Sequence, residues 1–377
     1  MKQLSNNLFL VAVAIVAAFS CAKPLEWTDP EGVYKDSELV TIPFHINVSN
    51  KTKVTELQEE AESNIVRWTV FAFDDQDGWT RYASADDGGV INLKLWTGRQ
   101  YSCYAFANYN TFGTSAFVPS TIHEREALLN RVVTLSDNTA DKLMMFGSKT
   151  VVPKGRPESV QDGEDEREVT VYDDVEISAV RLVSRIDVPE IHIDFSDAQK
   201  EPGKCLLRGI YVTNAYTTNR LASDYRPNEL SDTRSAWYNS GGLHVGENSV
   251  EALDAILVED DMKVSLSREH PFLQPVSFYA FPNSTHSEDD EWQFYRWTRR
   301  CTRVVVKLQL DSEYYYYQMD IPEMRRNRVY RFSDIVIKDF GGSTEESGRV
   351  PAGAIEYNLD EYPFGYVFTD NKEELDY

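Results

Sequence analysis

The chain has 377 residues, with 38 Lys and Arg against 61 Asp and Glu, for a formal net charge of −23. So acidic a surface argues against binding nucleic acid or anionic lipid head groups, and no basic patch offsets it. An apolar fraction of 42 % with 21 Tyr, 18 Phe and 7 Trp excludes a disordered acidic chain and, at this length, suggests about two domains.

Residues 1–20 read as a signal peptide. Lys2 gives a positive start, and Leu8 to Phe19 is an uncharged apolar run, long enough for a signal core and too short to cross a bilayer as a helix. The run ends in Ala18-Phe19-Ser20-Cys21, so signal cleavage falls between Ser20 and Cys21. Cys21 can then be diacylated through its sulfur and become the first mature residue. Phe19 departs from the small residue that lipidation prefers there, and ordinary secretory cleavage after Ser20 is the other reading. Lipidation is preferred because it alone accounts for a cysteine at the junction. No later stretch is apolar enough for a membrane helix, which would leave the acyl group as the anchor.

From Val40 the residues Val40, Ile42, Phe44, Ile46 and Val48 alternate with Thr41, Pro43, His45 and Asn47, the period of a half-buried strand. Pro43 cannot donate to a ladder, so this strand lies at an edge or leaves one side unpaired. A polar loop with Lys51 and Lys53 and the acidic run Glu56 to Glu62 follow. Ile65 to Phe73 is a richer strand, and Asp77-Gly78 supplies a hairpin turn. Further strands are predicted at Ile91–Trp96, Tyr101–Ala107, Val169–Tyr172, Val175–Val188, Leu206–Asn214, Val276–Phe281, Arg303–Leu310, Tyr314–Ile321 and Val329–Ile337. Helix is sparse: Thr121 with Glu124 forms a capping box before Ala127 to Leu129, and Val250 to Val258 is a second short candidate. Pro153 to Glu168 reads as a solvated acidic loop near a domain junction. Tyr104 to Asn108 is echoed by Tyr279 to Asn283, a faint sign of duplication. Closely spaced strands with brief helices predict an all-β chain of two sandwiches in tandem. The boundaries are 21–174 and 175–342, with an appendage over 343–377.

Chemistry is scarcely signalled. Six histidines are scattered without H-E-x-x-H, and there is no G-x-S-x-G, P-loop or dinucleotide fingerprint, so neither catalysis, a metal nor a cofactor is expected. Cys103, Cys205 and Cys301 show no C-x-x-C spacing and read as buried thiols, at least one of them unpaired. Asp74 to Gly78 looks like the start of a calcium loop, but Ala85 stands at the twelfth position, and a hairpin turn accounts for it better. With 61 acids some carboxylate pair is inevitable, yet nothing singles out a glycosidase pair. Tyr314 to Tyr317 reads as a strand with alternate rings packed inward rather than as a platform for sugars.

The chain ends carry the most informative pattern. Beyond the glycine break Gly341-Gly342, Ile355, Tyr357 and Leu359 alternate with Glu356, Asn358 and Asp360, and after Pro363 the residues Phe364, Tyr366 and Phe368 alternate again. Such a strand can add to the sheet edge of another molecule or fold back on its own domain.

Several segments, in order along most of the chain, resemble the fimbrillins, the major and minor subunits of type V pili in Bacteroidetes. They are Glu62 to Ile65 leading into Trp68 to Asp74 and Gly78, Tyr101 to Asn108, Met144 to Gly147, Arg181 to Val188, Phe278 to Asn283, and Arg326-Asn327 with Tyr330, Ile335 to Ile337 and Gly341. The resemblance implies two transthyretin-like β-sandwiches, exported as an outer-membrane lipoprotein. It also implies that a trypsin-like protease removes the lipidated N-terminus with the first strand, here Val40–Val48. A neighbour's C-terminal strand then fills the groove. The donor here would lie within 353–368 and carry Ile355, Tyr357, Leu359, Phe364, Tyr366 and Phe368. Where the resemblance calls for arginine in the processing loop, the chain offers Lys51 and Lys53; Arg67 falls inside the next strand and is expected to be inaccessible. The implied partners are other pilus subunits, the outer membrane through the lipid, and receptors on host or bacterial surfaces. The alternatives are an uncleaved anchor or tip subunit of the same pilus, or a surface glycan-binding lipoprotein.

Overall fold

The computed structural model describes residues 37–48, 61–110, 116–162, 165–195, 202–222, 237–238, 258–284, 301–343 and 350–364. Ser20, Cys21, Lys51, Lys53, Tyr366 and Phe368 lie outside the described residues. The first half carries β1 (Leu39–Val48), β2 (Arg67–Asp74), β3 (Thr80–Asp86), β4 (Ile91–Trp96), β5 (Tyr101–Ala107), the helical turn α1 (Arg125–Leu129), β6 (Val132–Thr134), β7 (Met145–Val151), β8 (Gly155–Asp162), β9 (Asp165–Tyr172) and β10 (Val175–Arg181). The second half carries β11 (Ser184–Val188), β12 (His192–Ile193), β13 (Cys205–Thr213), β14 (Ala215–Tyr216), β15 (Thr218–Arg220), β16 (Trp237–Tyr238), β17 (Val258–Leu266), β18 (Val276–Ala280), β19 (Thr302–Leu310), β20 (Glu313–Ile321), β21 (Arg328–Ile337) and β22 (Ile355–Pro363). The fold is all-β, as the strand spacing predicts.

Seven strands form the first sheet, in the order β3-β2-β5-β7-β10-β1-β4. It curls around a core in which Val40, Ile42 and Phe44 of β1 meet Trp68 and Val70 of β2, Leu93 of β4 and Ile177 of β10. β2 is buried on both faces from Trp68 on, which accounts for its mostly apolar sequence, interrupted by Thr69, whose hydroxyl bonds with Tyr109 Oη (2.8 Å). Its Phe71 and Phe73 join Phe106 and Phe146 on the opposite face, beneath Phe117, Leu128 and Leu135 of the long connection.

In the second half, β22, β21, β11 and β18 form one sheet, with β12 extending β11's side, and β17-β13-β19-β20 form the other. Their facing side chains, among them Ile186, Val212, Phe278, Val306, Met319 and Phe332, make one core that runs on into the Phe71 face of the first sheet. The halves are also joined by backbone pairing, Val132–Thr134 of β6 against Thr218–Arg220 of β15.

Most predicted strands lie within a residue or so of the observed ones, and the departures have physical causes. Val175 to Val188, read as one strand, is two: β10 pairs in the first sheet and β11 in the second. Leu182 and Val183 between them are buried, so the apolar pattern runs unbroken across the step. The change of sheet falls after Arg181. Pro153 to Glu168, read as a loop, contributes to the hairpin of β8 and β9. Thr121 does not cap α1: it ends a 3-10 turn, its hydroxyl donates to the Val118 carbonyl (2.8 Å), and Glu124 precedes the helix without a side-chain cap. Val258 opens β17, while residues 250–257 lie outside the described ones. β7 escaped prediction because its burial runs in blocks rather than alternating. Gly147 lets β7 approach β10, since a Cβ there would collide with the Ser178 carbonyl oxygen.

The two asparagines of the sequence echo play different parts. Asn108 turns left-handed (φ 58°) and its amide binds the carbonyls of Asn64 and Leu143 (2.7 and 2.9 Å). Asn214, rather than Asn283, repeats that turn (φ 56°) at the end of β13.

Candidate assembly site

β1 sits inside the first sheet and is held by half-ladders. Leu39 to Phe44 pair antiparallel with Trp96 to Ile91 of β4, and Phe44 to Val48 pair parallel with Val175 to Ala179 of β10. Pro43 stands opposite Asn92, one residue before the β10 ladder begins, so its missing N–H falls where that side is unpaired. Of the two placements Pro43 allows, the chain adopts the second. Val40, Ile42, Phe44 and Val48 are buried, a contribution of about 1.5–3 kcal/mol for each large side chain. At the rim, the Glu38 amide donates to Thr97 Oγ1 (2.9 Å) and Asn47 Nδ2 donates to Glu176 Oε1 (2.8 Å). Lifting β1 out would leave β4 and β10 unpaired on facing sides and uncover Leu93, Leu95 and Ile177, a groove shaped for another strand.

Arg67, expected to be inaccessible, opens β2 with its side chain 50 % exposed beside Asp86. Its backbone is nonetheless in register with Asp86, and its carbonyl accepts from the Asn108 amide (2.8 Å).

The terminal strand β22 folds back on its own domain, antiparallel to β21 from Pro363 opposite Arg328 to Ile355 opposite Ile337, with a register shift between Ser333 and Val336. Among the described residues it has no other strand neighbour and forms the sheet edge. Ile355, Tyr357 and Leu359 are half-buried against the core while Glu356, Asn358 and Asp360 are exposed, as their alternation predicts. Tyr357 packs edge-on against Phe332 (5.5 Å), and Asn358 Nδ2 donates to Asp334 Oδ2 (2.8 Å). Within 355–364 only Phe364 is fully buried. The glycines before it are no free hinge: Gly342 exchanges backbone hydrogen bonds with Tyr316 (2.8 and 2.9 Å), and a Cβ on Gly341 would meet the Tyr316 carbonyl oxygen at 2.7 Å.

Phe364 leads to a buried polar cluster between the two halves. Its ring lies under the guanidinium carbons of Arg181 (4.2 Å) and Arg185 (5.5 Å), and its amide donates to the Asn327 carbonyl (3.3 Å). Arg185 pairs with Glu62 (2.8 Å) and Asp187 (3.0 Å), and the Tyr279 hydroxyl donates to the second oxygen of Glu62 (2.5 Å). Arg181 donates from Nε to the Glu62 carbonyl (3.0 Å) and from Nη2 to Ser63 Oγ (2.9 Å). Burial pushes the Glu62 carboxyl above its ordinary pKa, against the opposing pull of Arg185, the Tyr279 hydroxyl and Arg181. Burial works to lower the pKa of Arg185, and the Asp187 and Glu62 carboxylates more than overcome it. Sequence reasoning missed this cluster because Glu62 closes the acidic run from Glu56, and nothing in its spacing names a buried partner. The available signal was a pair of arginines four residues apart, flanking the apolar Leu182-Val183 step between β10 and β11.

Other candidates resolve simply. The carboxylates of the calcium-like stretch already hold a cation: Arg99 pairs with Asp74 and Asp77 (both 2.5 Å). Tyr317 is buried and donates to the Asp339 carbonyl (2.9 Å), whereas Tyr314 is exposed beneath Lys307, so the tyrosine run alternates as a strand. Cys103, Cys205 and Cys301 are buried, and among the described residues no disulfide joins them.

Neither a protein-family model nor a curated protein matches the chain by sequence. Solved structures do match. A candidate cell adhesion protein from Parabacteroides distasonis aligns at 14 % identity and TM-score 0.57, covering 87 % of this chain and 99 % of that one. Another, from Bacteroides eggerthii, gives 14 % and 0.58 with 87 % and 96 % covered. A fimbrilin (FimA) from Porphyromonas gingivalis gives 14 % and 0.56 with 87 % and 98 % covered. The chain has the fimbrillin fold. At this identity the likeness is one of architecture, and it takes in both halves. Among the described residues, β1 is the first strand and lies inside its sheet, and β22 is the last and forms a sheet edge.

Proposed function

We propose that this chain is a structural pilus subunit that serves cell adhesion, exported as a lipoprotein on Cys21 and polymerised by strand complementation. The seat of β1 carries the reading. An N-terminal strand, followed in sequence by Lys51 and Lys53, fills an interior slot, and each half of it is paired on one side. Cleavage at either lysine would detach β1 with its lipid and open the slot between β4 and β10. The C-terminal segment of a second subunit, with Ile355, Tyr357 and Leu359 on one apolar face and with Phe364, Tyr366 and Phe368 alternating again in sequence after Pro363, would restore both ladders. β22 suits a donor because it leaves only one ladder and a half-buried face behind. The named similarity of the solved structures to fimbrilin and cell adhesion proteins supports the same role. The subunit would reside first in the outer membrane and then in the fimbrium, with other subunits and surface receptors as partners.

Trypsin tests it. Treated protein is expected to lose about thirty N-terminal residues cleanly and then to form ladders of polymers. A clipped protein that stays monomeric overturns the reading. An uncleaved anchor or tip is the second reading, favoured by lysine where the fimbrillin resemblance calls for arginine; a loop that resists clipping would select it.

A further inference from the structure

The buried arginines join two distant parts of the chain. Arg181 is 2 % exposed, Arg185 and Asp187 are 6 % exposed, and Glu62 is fully buried. Ionised groups at such depth persist only with partners in place, and removing one partner strands the others. Glu62 and Ser63 supply three of those partners, through the Glu62 carboxylate, its carbonyl and the Ser63 hydroxyl. They follow in sequence shortly after Lys51 and Lys53. On the same two guanidiniums rests Phe364, the fully buried residue at the end of β22. Asn327 completes the link, accepting from the Arg181 amide (3.3 Å) and, through its own carbonyl, from the Phe364 amide (3.3 Å).

We propose that Glu62 and Phe364 are two halves of one clasp, joined through Arg181 and Arg185, so that loosening residues 62–63 frees the terminal strand. With Glu62 displaced, Arg185 keeps Asp187 alone as its carboxylate, the Tyr279 hydroxyl loses its acceptor, and Arg181 loses two hydrogen bonds. The guanidiniums then turn toward new acceptors, and the platform under the Phe364 ring is lost. The rest of β22 is half-buried and has one strand neighbour, so this anchor sets how readily the strand leaves. By linkage the effect runs both ways: undocking Phe364 loosens residues 62–63. The coupling belongs to the single subunit. Its consequence, that cutting the upstream loop also readies the donor strand, rests on the pilus-subunit reading.

Hydrogen exchange on the uncut full chain tests the clasp. In Glu62→Gln the amides of 355–364 are expected to exchange about tenfold faster, while those of Arg67–Asp74 change by less than about threefold. Phe364→Ala should loosen residues 61–64 in return, and the double variant should open β22 no faster than the faster single variant. Unchanged exchange of 355–364 in Glu62→Gln, or effects that multiply in the double variant, overturns the proposal. Should Glu62→Gln fail to fold, Tyr279→Phe removes one hydrogen bond from the same carboxylate and carries the same comparison. None of these measurements requires polymerisation. Polymers without coupling would overturn the clasp alone, and coupling without polymers the pilus reading alone.

Discussion

Burial decides what the thiols of Cys103 and Cys205 can do. Cys103 is fully buried in the core enclosed by the first sheet, and burial pushes its thiol well above the ordinary value. Cys205 is pushed up to about 12 by burial, with Asp311 adding to it. The thiolate is the reactive form, so neither residue should behave as a nucleophile near neutrality. Iodoacetamide at pH 8 is expected to leave both unmodified in the folded protein and to label both after unfolding, as read by peptide mass spectrometry; fast labelling of either in the native state would contradict their burial. Spacing alone could say that no zinc or dithiol motif was present. It could not say how far each thiol lay from water, because depth depends on which strands cover a strand. The same limit hid Glu62, which closes an acidic run in sequence and whose neighbours in space are Arg185 and Tyr279.

Among the elements, β1 and β22 read alike in sequence, each an alternation of apolar and polar residues, yet they are held very differently. β1 has neighbours on both sides and buries Phe44 completely, whereas β22 has one neighbour and keeps Leu359 half-exposed. Phe44→Ala is therefore expected to destabilise the protein by about 3–5 kcal/mol, the range for deleting a buried Phe. Leu359→Ala should cost about 1 kcal/mol, since little cavity forms at a half-buried site. Urea unfolding of both variants measures the difference, and equal losses would contradict the contrast. Strand existence was largely legible, since a period of two is a local property. The break inside Val175–Val188 was not, because Leu182 and Val183 are buried like the strands they separate. β7 was also illegible, since Ser148, Lys149 and Thr150 are exposed together and interrupt its alternation.

At the scale of the whole molecule the two halves share a core and a backbone link. Phe71, Phe106 and Phe146 of the first sheet belong to the same apolar cluster as Phe278 and Val306 of the second half, and β6 pairs with β15 between them. An interface this apolar couples the stability of its two sides. Calorimetry of the intact chain is expected to show one main unfolding transition, and two well-separated transitions would mean that the halves melt independently. The sequence by itself determined the acidic surface, the all-β class, most strand positions and the alternating faces of β1 and β22. Each of these follows from composition or from the two-residue period of a strand. Tertiary structure alone decided that β1 lies between β4 and β10, that β22 folds back onto β21, and that Glu62 and Phe364 meet at Arg181 and Arg185. A period of two shows which face of a strand seeks the core. It carries no information about which distant segment will supply that core.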